Sequence, residues 1–255
     1  MRSPSTLSGL TNQFRRESGS WWNTRRWWTQ ALVWSALTNA LLVLVLWVLP
    51  RLDVAAGASD MTPTESAVQF AGMAGILASI GVVVTAQGIL LDERRSGVLE
   101  WMLSKPLARS ALLAAKFLGH ALALFVVIVL VPWLGVLAQL SLADGALWPL
   151  DQWLGAVALI GCLAVFHLAV VLMLSALTWS RALVVALPLA GIFGTDLLVA
   201  TAPRAFEILP WSLARIAGPV LSDGILMTIG PLISTAVLTV ISLGVASLAL
   251  KRTEL

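Results

Sequence analysis

The sequence predicts an all-α polytopic membrane protein with six transmembrane helices, and three observations carry that reading. Of its 255 residues 59% are hydrophobic and only 11% charged, with a mean hydropathy of +0.92, whereas a soluble domain carries about 25% charged residues. The apolar residues fall in six runs, each long enough for the roughly 20 residues that span a bilayer as helix. Basic residues alternate in density between successive connections: 13 of the 16 lie in the N-terminal segment, in residues 92–116, at Arg181 and at the C-terminus. Arg51, Arg204 and Arg215 are the three that lie in the intervening connections. By the positive-inside rule this places both termini and residues 92–116 in the cytoplasm. The basic pI of about 9.8 follows from that topology and calls for no nucleic-acid partner.

The elements follow in order. Residues 1–27 form an N-terminal cytoplasmic segment, and residues 28–255 the six-span domain. Leu7, Leu10, Phe14, Trp21 and Trp28 recur at helical spacing, while Arg15, Arg16, Glu17 and Arg25 occupy other faces. That pattern predicts an amphipathic helix lying in the interface of an anionic leaflet, broken at Gly19 and Ser20. The bland alternative is a polar tail. No cleavable signal peptide is evident, because no apolar core precedes Trp27. The spans are predicted at 28–49, 68–91, 112–140, 153–178, 182–202 and 231–250. The second carries Ala71, Gly75 and Ser79 at intervals of four, a small-residue face that admits close helix approach. Pro132 is expected to kink or end the third, and the fifth contains Pro188. Residues 203–230, cut by Pro203, Pro210, Pro219 and Gly230, read as two short re-entrant helices on the outer side rather than a structureless loop.

Residues 92–116 are the one charge-dense run inside the apolar chain. Read as a helix, they set Glu93, Gly97, Glu100 and Ser104 on one face, beside an apolar stripe of Val98, Leu99, Met102 and Leu103. Pro106 ends this helix or starts the next. The arrangement suits docking to another protein; a solvated loop is the alternative. The run Glu-Arg-Arg-Ser-Gly-Val-Leu-Glu from Glu93, then Trp-Met-Leu-Ser-Lys-Pro-Leu-Ala-Arg and Lys116, resembles the intracellular coupling segment of type-2 ABC transporter permeases. Glu93, Ser96, Gly97, Leu99, Glu100, Leu103, Ser104, Pro106, Arg109 and Lys116 match that pattern. Arg95 stands where the family often has an acid, and Ala108 where it often has serine. The resemblance implies a membrane permease subunit, a dimer with a second copy or a similar permease, and separate cytoplasmic ATPase subunits that hold ATP and magnesium. It also implies ATPase coupling through Glu93, Arg94, Ser96, Gly97, Glu100, Ser104, Pro106 and Arg109. The second and fifth spans would flank the dimer and translocation path, which directs attention to Ala71, Gly75, Ser79 and Asp196. A multi-pass protein of a prokaryotic plasma membrane is the implied setting.

The chemistry of the remaining residues is sparse. The lysines, Lys105, Lys116 and Lys251, are followed by Pro, Phe and Arg, so no phosphate-binding loop ending in Gly-Lys-Ser/Thr exists. His120, His167 and the single Cys162 make neither a metal site nor a catalytic set, and no catalytic residue or cofactor of its own is expected. Asp196 is the one acid inside a predicted span, a placement that costs about 2.5–3.5 kcal/mol at a bilayer centre. It reads as lining a polar path, or as an acid near the outer interface. A self-sufficient channel or secondary transporter is the competing function, but it calls for more intramembrane polar groups and an internal repeat.

Overall fold

Helices account for the regular structure of the computed structural model, which describes residues 9–51, 62–104, 108–226 and 228–252, with no strand among them. In chain order they are α1 (Leu10–Trp22), α2 (Arg26–Val43), α3 (Pro63–Ala86), α4 (Leu91–Arg95), α5 (Val98–Leu103), α6 (Arg109–Leu124) and α7 (Val131–Asp144). Then come α8 (Leu150–Leu177), α9 (Arg181–Phe193), α10 (Thr195–Thr201), α11 (Pro203–Phe206), α12 (Ser212–Asp223) and α13 (Gly230–Arg252). Among the described residues, five continuous stretches are long and apolar enough to cross a membrane: Arg26–Val48, Pro63–Arg95, Arg109–Asp144, Leu150–Leu177 and Gly230–Lys251. A sixth is the pair α9 and α10, bent by 42°.

Local chemistry sets the boundaries. Thr62 caps α3: its hydroxyl accepts from the Glu65 amide, the Glu65 carboxylate accepts from the Thr62 amide, and Pro63 fills the first turn. That Thr-Pro-Thr-Glu box starts the second span five residues before the apolar run does. Pro132 does not end the third span, which continues to Asp144. A π-helical segment, Phe125–Leu130, precedes it; the wider turn absorbs a residue that can donate no amide hydrogen. The fifth span breaks at Gly194 rather than Pro188, where Thr195 turns its hydroxyl back to the Ile192 carbonyl.

The core centres on α8, which packs against α13, α12 and α3. Its side chains from Trp153 to Ala176 are buried along most of the helix. Polar links hold other helices together. Asn39 on α2 donates to the Pro132 carbonyl at 3.1 Å and accepts from Gln139 on α7 at 2.7 Å. Such interhelical bonds are worth about 0.6 kcal/mol on average in membrane proteins.

The small face of the second span is covered from within the chain. A Cβ on Gly75 would stand 2.5 Å from the Ala214 Cβ of α12, and one on Gly218 would stand 2.8 Å from the Val68 carbonyl. The two helices therefore approach glycine to backbone, and Ala71 is fully buried beneath them. The predicted short helices of 203–230 exist, and α12 lies in the cleft between α3 and α8. Its buried face is Leu213, Ala214, Ala217 and Leu221.

The N-terminal helix departs from its predicted pattern in two ways. It runs unbroken through Gly19 and Ser20 to Trp22, and the chain turns only at Asn23, so Trp28 belongs to α2. An interior glycine costs roughly 1 kcal/mol, and here packing against α6 offsets it. The buried stripe is Gln13, Glu17 and Trp21, not Leu10 and Phe14, which are only half buried. The reason is a buried cation on α6, described next. Leu7 lies outside the described residues.

Candidate functional site

The basic end of the bundle gathers α1, the α4–α5 segment, the start of α6 and the C-terminal ends of α8 and α13. Lys116, on the second turn of α6, is 1% exposed and stands between two carboxylates, 3.0 Å from Glu17 Oε1 and 2.8 Å from Glu93 Oε2. Gly119, one turn on, leaves room for α1, since a Cβ there would lie 3.0 Å from that of Glu17. His120 sits behind, its Nδ1 2.9 Å from the Lys116 carbonyl and 3.8 Å from Glu17 Oε2. Burying a lone ammonium is prohibitive, and two acids on separate elements compensate it. The polar stripe of α1 faces inward because Lys116 needs a partner there.

Arginines of the same region reach helix ends. Arg94 is buried; its guanidinium donates to the Ser175, Ala176 and Thr178 carbonyls at the C-terminus of α8 and stacks 4.2 Å from the Trp179 ring centre. Arg95 donates to the Trp179 carbonyl, and Asp92 pairs with Arg181 at the start of α9. Arg109 donates to the Leu250 and Lys251 carbonyls, 2.8 Å each, at the end of α13. A helix C-terminus presents unpaired carbonyls and partial negative charge, and a guanidinium fork satisfies both.

The predicted single helix through this segment is two. Gly97 adopts φ +73°, a conformation that ends α4 as a left-handed cap and restarts the chain as α5. Glu93 and Ser104 therefore do not share one helical face. Leu99 and Met102 are buried, as the apolar stripe requires, and Met102 Sδ meets Arg16 Nη1 at 2.8 Å. Ser96, Gly97 and Ser104 are exposed; the Ser96 hydroxyl turns to the Glu93 carbonyl and that of Ser104 to the Trp101 carbonyl. Glu100 lies on α5, and Pro106 falls outside the described residues. So of the predicted coupling residues, Glu93, Arg94 and Arg109 bind this chain's own helices, while Ser96, Gly97 and Ser104 face outward. Sequence reasoning missed Glu17; the available signal was an acid at i+4 from Gln13 and i−4 from Trp21, with a Lys116/His120 pair to receive it.

At the opposite end, Gly75, Ser79 and Asp196 line one cavity of about 210 Å³ together with Gln69, Trp211 and Arg215. Asp196 opens α10 and pairs with Arg215 of α12 at 3.3 Å, its side chain 90% exposed. Arg215 also lies over the Phe206 ring, 5.1 Å from its centre. The acid thus avoids the bilayer-centre cost by sitting at a helix start beside a cation.

Long apolar helices, a split amphipathic segment on the basic end and short helices tucked between spans at the other define a multi-pass membrane protein. A family model for ABC-2 family transporter proteins matches residues 52–209, more than half of the chain, and the chain belongs to that family. No curated protein matches it by sequence.

Proposed function

We propose that this chain is the membrane permease subunit of an ABC transporter, moving substrate with energy from ATP hydrolysed by a separate ATPase subunit that binds ATP and magnesium. The observation that carries the reading is the attachment of the α4–α5 segment. Arg94 ties it to α8, Glu93 ties it through Lys116 to α6 and α1, and Arg109 just beyond it ties α6 to α13. A push on the segment therefore reaches four other helices through charge-assisted bonds. The exposed Ser96, Gly97 and Ser104 mark the part that an ATPase would contact on the cytoplasmic side, where the basic residues concentrate, and Glu100 of α5 is assigned to the same contact. The family supports both the ATPase partner and pairing with a second permease copy. The half-buried Leu10 and Phe14 suit α1 to the interface of a prokaryotic plasma membrane. The cavity with Gly75, Ser79 and Asp196 lies between the second and fifth spans, where a path for substrate is expected. The chain itself hydrolyses nothing.

The test is co-purification of the ATPase with wild type and Glu100→Arg at matched membrane levels, with ATPase activity measured on each. A charge reversal in a contact loses the attraction and adds a like-charge clash, so partner recovery should fall by at least about tenfold, equivalent to about 1.4 kcal/mol. Full retention of partner and activity would remove Glu100 from the interface. An ATPase absent from wild-type preparations would favour the channel or secondary transporter.

A further inference from the structure

We propose that the cavity between α1 and the α4 segment binds a phosphate-bearing anion, held by Arg16 and Arg26. The cavity, about 420 Å³, is lined by both arginines and by Ser20, Gln87 and the Glu17–Lys116–Glu93 cluster, with Asp92 and Arg181 on its far wall. Its size is that of a small-molecule or headgroup site.

The charges on its wall do not balance. Lys116 serves both Glu17 and Glu93, and Arg181 serves Asp92. One lysine for two carboxylates leaves that trio with one negative charge in excess, so the four cations and three carboxylates of the wall sum to +1, and its ion pairs occupy two of the four cations. Two guanidiniums have none: among the described residues neither Arg16 nor Arg26 has a carboxylate within ion-pair distance. Arg16 donates to the Met102 thioether, a weak acceptor. Arg26 lies over the Trp21 ring at 4.2 Å and reaches the Thr85 carbonyl only at 3.4 Å. Stacking on Trp21 fixes the plane of the Arg26 fork without consuming its donors. Two forks facing one polar cavity match an oxyanion that accepts several hydrogen bonds, as phosphate does.

The site also has a position that gives the ligand a consequence. Arg16 belongs to α1, Arg26 opens α2, and Gln87 follows α3. An anion bridging them would fasten α1 to the first two spans beside the segment that α1 already holds through Glu17 and Lys116. Lying level with the ends of α2 and α3, the cavity can take its phosphate from an inner-leaflet lipid headgroup or from a free anion. The proposal is independent of the ATPase reading, because its readout is binding to the full chain alone.

The test uses the purified full chain in neutral detergent. Native mass spectrometry reads retained phosphatidylglycerol against phosphatidylcholine, and calorimetry reads inorganic phosphate. Arg16→Gln/Arg26→Gln is compared with Arg15→Gln/Arg25→Gln, which removes the same charge from exposed residues that do not line the cavity. The cavity pair should lose at least roughly tenfold in affinity and the control pair less than about twofold, since each guanidinium supplies a charge-assisted bond. Arg16→Gln alone, which removes only the sulfur contact, keeps the comparison readable if Arg26→Gln unsettles the fold. Loss for phosphatidylglycerol alone identifies a lipid, and loss for phosphate alone a soluble anion. Equal losses in both pairs, or no binding of either probe to wild type, would overturn the site.

Discussion

Removing Lys116 should cost more stability than removing any other single charge in the described structure. Its ammonium, 1% exposed, is shared by Glu17, 7% exposed, and Glu93, 20% exposed. Lys116→Met keeps the length of the side chain and deletes the charge, leaving two largely buried carboxylates without their shared cation. Breaking a buried pair by removing one partner costs about 3–5 kcal/mol, and the like charges left behind place this case at the upper end. Asp92→Asn serves as the reference. It breaks the Asp92–Arg181 pair, whose side chains are about half exposed, and screening limits such pairs to about 1 kcal/mol or less. Thermal unfolding in one detergent, with limited proteolysis of α1, measures both. Lys116→Met should lower the unfolding midpoint severalfold more than Asp92→Asn and should release α1 to protease before the spans unfold. The triple variant Lys116→Met/Glu17→Gln/Glu93→Gln should recover much of the loss, because the isolated charges are gone. A Lys116→Met shift no larger than that of Asp92→Asn would refute the view that this cluster holds α1 and α4 in place.

Three further outcomes follow from other contacts. Arg94→Lys keeps the charge but shortens the side chain and gives up the planar guanidinium over Trp179; transport per ATP hydrolysed should fall while partner recovery stays at wild-type level, as measured in reconstituted vesicles. Gly75→Leu places a side chain where α12 already stands, so overpacking of about 1–3 kcal/mol or more should appear as a lowered unfolding midpoint, with Gly244→Leu, where a Cβ meets nothing within 4 Å, as the silent control. Asp196→Asn breaks an exposed pair and should change stability by about 1 kcal/mol or less, so any loss of substrate export measured with it reports the cavity and not the fold.

How much of this was legible follows from where the information lies. The spans were visible because bilayer burial demands apolar length, and length is a local property of the sequence. The 203–230 region was legible for the same reason in reverse: Pro203, Pro210 and Pro219 divide it into pieces too short to span. What α12 packs against was not, because the fit of Gly75 to Ala214 and of Gly218 to the Val68 backbone pairs residues about 140 or more positions apart, and the small face alone named no partner. The stripe of α1 misled for a chemical reason. Apolar periodicity assumes that the buried face is the apolar one, but at a membrane surface Leu10 and Phe14 have lipid available, and the protein interior had a lysine to neutralise. The charged stretch was legible as a charge-dense, partly helical connection and misread as one helix, since side-chain spacing does not reveal that Gly97 adopts a positive φ.

That glycine decides how force could travel. A left-handed residue between α4 and α5 would act as a free joint if nothing crossed it, and a push on α5 would be lost as rotation. The two backbone bonds that meet at it do not span it: the Gly97 amide donates to the Arg94 carbonyl at 3.3 Å on the α4 side, and the Trp101 amide donates to the Gly97 carbonyl at 3.2 Å on the α5 side, so the seat of α5 is made by its side chains. Leu99 and Met102 are buried beneath α5 on the far side of the joint, so the short helix is seated at both ends. On the near side Arg94 anchors α4, since the residue whose carbonyl receives the Gly97 amide is the one whose guanidinium caps α8. The joint and the cap thus share a residue. A displacement of α5 moves the Arg94 backbone, and the Arg94 side chain can follow only by dragging the end of the fourth span or by giving up its carbonyls. Hydrogen bonds to charged groups are worth about 1.5–3 kcal/mol each, so dragging the helix is the easier course for small displacements. The same segment would let go of α8 if pushed further than its bonds can stretch. The proposed coupling calls for an attachment of this kind, stiff over a short stroke.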